Sequence, residues 1–201
     1  MKRVYIFILL LYSVSCYAQH IRKDRIESDG RHQILTSVMN ISFGRNKYGR
    51  DKYRVSMKIF EDVHGINWYL LISSFDSLSS STVVRLNLGN EEPLTFPCIK
   101  TTVSKVICQD YIRFNSTTTI TKYNDYNFYA SRFALCCEDL DKIEKYGIKK
   151  ICISNGRVCK EKGFSKNKLG TFLTKCRRCI QKRLEHPLSE FDITDRRTKS
   201  Y

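Results

Sequence analysis

Two cysteines three residues apart, Cys176 and Cys179, stand inside the basic run FLTKCRRCIQKRL that begins at Phe172. That spacing suits half of a zinc site, a redox dithiol, or two small apolar side chains on one helix. A structural zinc ion needs four converging ligands, and Cys152-x6-Cys159 is no standard claw. A thioredoxin-like nucleophile sits at a helix N-terminus, where the dipole lowers its pKa. Cys176 would fall about three turns in, although Arg177 and Arg178 could supply part of that charge. From Leu169, the apolar residues Phe172, Leu173, Cys176, Cys179, Ile180 and Leu184 fall at offsets 3, 4, 7, 10, 11 and 15, an amphipathic stripe. Free cysteine packs as a small hydrophobe. The stripe therefore predicts core packing for both thiols, with no metal and no cofactor. Cys136 and Cys137 would point to opposite faces of a strand and cannot share one site.

Other chemistry is sparse. The four histidines, His20, His32, His64 and His186, show no His-x-His or His-x-x-x-His spacing, and neither a Gly-x-Ser-x-Gly elbow nor a phosphate-binding glycine loop occurs. No reaction can be named from such a chain, and a small exported enzyme, hydrolytic or thiol-dependent, is the alternative. Charge is the stronger signal. The net charge of +15 is concentrated between Lys145 and Leu184, which hold thirteen Lys or Arg and one acid, Glu161. Lys149, Lys150, Lys175, Arg178 and Lys182 are the candidate anion-binding residues of that stretch. Clustered cations attract polyanions by steering and counterion release. Nucleic acid is disfavoured because single-strand binders interleave aromatic rings with their cations. The reading that results is a non-enzymatic module binding an anionic glycolipid or polysaccharide of an envelope.

These residues need elements to position them. Val55, Met57 and Ile59 alternate with Arg54, Ser56 and Lys58, predicting a half-buried strand, and INWYLLISSF follows it across a turn as a central hairpin partner covered on both sides. Val84, Leu86 and Leu88 share one face of the next strand; Pro93 and Pro97 put its return partner at an edge. Short strands are expected around Val103–Cys108 and Tyr111–Phe114, then one with Tyr129, Ser131, Phe133 and Leu135 on a common face. Glu138, Asp139 and Asp141 at the start, Lys145 near the end and Gly147 just beyond predict a short helix, followed by a strand from Ile148 to Ile153. A last helix is expected from an N-cap at Ser165 to about Glu185, before Pro187. The fold class is α+β: a mostly antiparallel, sandwich-like sheet of about seven to nine strands, a short helix-strand unit and one amphipathic C-terminal helix.

The N-terminus adds a compartment. MKR, then nine apolar residues from Val4 to Tyr12 and the small-residue end Cys16-Tyr17-Ala18, form a signal peptide (1–18), the apolar run being too short to span a bilayer. Acylation at Cys16 is the competing cleavage. A single domain (19–186) and a flexible tail (187–201) follow, with export to the periplasm or the exterior. Eight cysteines then remain, permitting one to three disulfides in an oxidising compartment, and eight allow 105 pairings.

Three stretches carry a resemblance: DRIESDGRHQILTS from Asp24, EDLDKIEKYGIKKICI from Glu138, and GFSKNKLGTFLTKCRRCIQKRL from Gly163. Together they resemble a family of small exported proteins from Bacteroidota with no assigned activity. The resemblance implies export and a strand-rich middle, and it carries no site residue. The cysteine-rich end is unusual beside that family.

Overall fold

The computed structural model describes residues 21–43, 52–113, 119–156 and 158–185. The leader, Cys16, His20, His186 and the tail lie outside them. Ten strands and two helices are described: β1 (Ile21–Ile26), β2 (His32–Thr36), β3 (Met39–Ser42), β4 (Lys52–Asp62), β5 (Gly65–Ser74), β6 (Val83–Leu88), β7 (Pro93–Arg113), β8 (Thr119–Leu135), α1 (Cys137–Tyr146), β9 (Ile148–Ser154), β10 (Cys159–Gly163) and α2 (Lys168–Glu185). The architecture is the antiparallel α+β fold expected, with the amphipathic helix at its C-terminal end.

All pairings are antiparallel, in the order β1-β2-β4-β5-β8-β7-β6-β9-β10, with β3 also on β4. β7 is the joint of this sheet. Its first part, Pro93 to Pro97, pairs only with β6; from Cys98 onward the strand pairs with β8, with a register shift between Cys98 and Lys100. Both prolines thus sit where one side carries no ladder, as their missing N–H requires. Two short strands were expected between Val103 and Phe114; one continuous strand occupies that region through Arg113. Beyond Val103 and Tyr129, β7 and β8 pair only with each other as a ribbon, and Phe75 packs its ring against Tyr126 and Phe128.

The sheet curls around α2. That helix contacts β1, β2 and β4 as well as β9. In the strand order β4 and β10 are six places apart, about 29 Å in a flat sheet. Lys160 of β10 nevertheless lies 5.5 Å from the Tyr53 ring of β4 and reaches Asp76 at 2.6 Å, so the sheet must curl. Val55, Met57, Ile59, Leu70, Ile72, Val84, Leu86 and Ile151 face inward in one core with Leu169, Leu173, Cys176 and Ile180.

Local chemistry explains the ends of the helices. At α1, Cys136 Sγ accepts from Asp139 N–H at 3.4 Å while Asp139 Oδ2 accepts from Cys136 N–H at 2.9 Å, a reciprocal capping box. Gly147 closes the helix at φ 69°, and its N–H donates to Ile143 O. The expected N-cap of α2 at Ser165 is not found: the helix begins at Lys168. Phe164 N–H still donates to Lys149 O at 2.8 Å, so the chain remains tied to β9 until then. Asn167 precedes the helix instead, its Oδ1 accepting from Ile148 N–H at 2.8 Å.

Candidate anion-binding face

Alternation in β4 sends Val55, Met57 and Ile59 to the core and Arg54, Ser56, Lys58 and Phe60 to the opposite side. Pairing register extends that outer side across six strands. Lys23 of β1 stands opposite Leu35, which stands opposite Lys58. One ladder step along, Ser56, Leu71, Arg132 and Lys100 form a continuous row from β4 to β7. Directly paired residues project to the same face, so Lys23, Lys58, Arg132 and Lys100 share one surface. Arg25 and Arg31 close its β1–β2 end.

This surface is concave, enclosing about 480 Å³. Its lining holds six cations and two carboxylates, Glu27 and Asp29. Both acids are already engaged: Arg25 pairs with Glu27 at 2.6 Å and Arg31 with Asp29 at 2.5 Å. Among the described residues, Lys23, Lys58, Lys100 and Arg132 have no carboxylate at ion-pair distance. At the centre, Phe60 is 8% exposed beneath Lys58 Nζ at 4.2 Å, the Arg31 guanidinium at 4.9 Å and that of Arg132 at 5.7 Å. Ring quadrupoles hold such cations at modest gain. Burial, then Arg132, Lys23 and Arg25 nearby and against the pull of Glu27, pushes the Lys58 ammonium down to about 8. An amine held below its ordinary value by burial and neighbouring cations regains its charge when an anion arrives.

A second titratable cluster lies at the other side of β1. Asp24, its side chain 1% exposed, accepts from Arg183 Nε at 2.5 Å and meets His32 Nε2 at 2.7 Å; His32 Nδ1 lies 3.0 Å from Glu61. The hydrogen bond to Asp24 raises the His32 pKa, opposed by burial and helped by Glu61. Burial works to raise Asp24, and the bonds from His32 and Arg183 more than reverse it. Carboxylates on both ring nitrogens favour the imidazolium form of His32, which bridges Asp24 of β1 and Glu61 of β4, while Arg183 ties α2 to β1 through Asp24.

The C-terminal cations are differently disposed. Lys150 pairs with Glu161, Arg178 with Glu144 at 2.5 Å, and Lys149 comes within 3.9 Å of Glu91. Lys175 is exposed and lines a shallow hollow with Lys166, Lys168 and Phe172; Lys182 is exposed two turns further along. Lys149 and Lys150 belong to β9 and the other three to α2, and none of the five lines the concave face. Neighbours remote in sequence explain the dilution: Asp24, Asp76, Asp141 and Glu144 return to pair with Arg183, Lys160, Arg177 and Arg178. Counting charges along the chain could not reveal those partners.

Both thiols of the Cys-x-x-Cys pair are buried, Cys176 at 0% and Cys179 at 6% exposure, on the inward stripe of α2. Burial pushes the Cys176 thiol up to about 11 despite a contact with Thr36, and burial raises Cys179 as well. High thiol pKa values disfavour the thiolate that redox exchange or metal binding requires. Cys152 and Cys159, across the β9–β10 hairpin, lie at disulfide distance with Cα atoms 6.5 Å apart. Cys136 and Cys137 are exposed at the start of α1. No helix among the described residues is long and apolar enough to cross a membrane. Comparison with protein-family models, curated proteins and solved structures returned no match.

Proposed function

We propose that this chain is a non-enzymatic, exported module that binds an anionic component of an envelope or matrix through the outer face of β1, β2, β4, β5, β8 and β7. One observation carries the reading: four cations with no carboxylate at ion-pair distance among the described residues share a concave face, where burial and neighbouring cations hold Lys58 near 8. Such a surface favours an arriving anion because the cost of gathering the cations is met in folding. The basic leader supports export, and the pairing of Cys152 with Cys159 suits an oxidising compartment. The exposed cations Lys175 and Lys182 form a secondary contact region.

The test compares two charge-reversed variants by retention on immobilised heparin. Lys23→Glu with Lys100→Glu should elute at markedly lower salt, whereas Lys175→Glu with Lys182→Glu should shift elution less. Equal retention of the first variant and the unaltered protein would overturn the assignment of the face. Intact mass of the secreted protein tests cleavage after Ala18 and counts disulfides.

A further inference from the structure

The arrangement of the cations describes the ligand more closely. Lys23 and Lys58 are two strands apart, Lys58 and Arg132 two strands apart with a shift of one ladder step, and Lys100 lies on the next strand. With strands about 4.8 Å apart, this row extends about 24 Å across the sheet. A single phosphate, sulfate or lipid headgroup would occupy two or three of those cations and leave the others crowded. Leu35 and Leu71 stand between the charges along the row, and the exposed hydroxyls of Ser28 and Thr102 flank it, side chains suited to hydroxyl groups. Phe60 is covered by the three cations above it, so its ring cannot serve as a platform for a stacked base.

We infer that the concave sheet face accommodates a linear acidic polysaccharide, lying across the strands from β1 to β7, with its spaced sulfate or carboxylate groups meeting Lys23, Lys58, Arg132 and Lys100. The inference rests on the anion-binding reading of this face. It differs from that reading in requiring length: each cation contacts a different anionic group of one chain, while hydroxyls of that chain meet Ser28 and Thr102 beside the row. A flexible polymer bound at several points gains through effective concentration once it can span the sites.

The experiment is calorimetric titration of the full mature chain at fixed salt with inorganic sulfate, a size ladder of heparin-derived oligosaccharides, and single-stranded DNA of matched charge. Affinity should rise at least tenfold from the disaccharide to chains spanning the row and then level off, with DNA at least tenfold weaker than the longest glycan. Arg132→Gln, which leaves the core unchanged, should flatten the length dependence; Lys175→Gln should leave it intact. Glycans that bind no better with length, a length effect that survives Arg132→Gln, or DNA binding as tightly would overturn the polysaccharide. If sulfate still binds and is lost in Lys58→Met, the anion-binding reading survives that failure. If neither sulfate nor any glycan binds, both fall.

Discussion

Lys58 gives the binding reading a pH signature. An anion at the face favours its charged form, so the pKa in the complex exceeds the free value of about 8. Between those two values the complex holds more protons than the free protein, and affinity must fall as pH rises. Titration of a heparin oligosaccharide from about pH 7 to about pH 9.5 should therefore show progressive weakening, and Lys58→Arg should remove most of it because guanidinium stays charged. A flat profile in the unaltered protein would contradict this role. Asp24 and His32 make a separate prediction about stability. His32 is raised above its unfolded value near 6.5, so its contribution is present below that pH and is lost as pH climbs through the folded value. Asp24 is lowered, so its contribution is present above about pH 4 and is lost as pH falls through its folded value. Urea midpoints should fall as pH rises above about 6.5, and His32→Gln should abolish that decline. Asp24→Asn should cost about 3 kcal/mol near pH 6, since two cations lose a buried partner. At this scale the sequence was partly legible: period two put Lys58 on the polar side of its strand. It held no sign of Asp24 beneath Arg183, a residue 159 positions away.

Elements whose pattern is local were readable, and elements made by pairing were not. The β4–β5 hairpin, the inward face of β6, the short helix α1 with its glycine stop, and the stripe of α2 each repeat at the period of their own geometry. Covering of β5 on both sides was overstated: Tyr69 and Leu71 are half-buried on the cationic side. β1 and β10 lack that signal, since IRKDRI and CKEKG are mostly charged. They are strands because β2 and β9 offer open edges. Gly89 shows how close the elements come: a Cβ there would collide with the Tyr146 carbonyl oxygen, while Gly89 N–H donates to Gly147 O at 3.2 Å. Gly89→Ala should destabilise by about 1–3 kcal/mol through overpacking, measurable by thermal unfolding. The burial of the α2 stripe predicts a labelling order. Cys137 should react promptly with a thiol reagent in the native protein, Cys136 more slowly because its bond to Asp139 raises its thiol pKa, and Cys176 and Cys179 only as the protein unfolds. Prompt native labelling of Cys176 would place the stripe outside the core.

For the whole molecule, the curl of the sheet around α2 matters most, because one face becomes the core and the other a cationic surface. Polyanion binding at that surface should depend steeply on salt. Four released counterions would weaken affinity about a hundredfold between about 50 and 200 mM, and fewer would flatten the slope. The amino-acid sequence by itself determined the α+β class, the burial of Cys176 and Cys179 and the outward side of β4, since each follows from a repeat within one segment. Only the tertiary structure decided which charges remain available. Carboxylates from α1 and from before β6 neutralise much of the C-terminal excess, while Lys23, Lys58, Lys100 and Arg132, scattered over 110 positions, meet with no carboxylate at ion-pair distance among the described residues. Electrostatic energy depends on separation through space, and strand register, which is non-local, sets that separation.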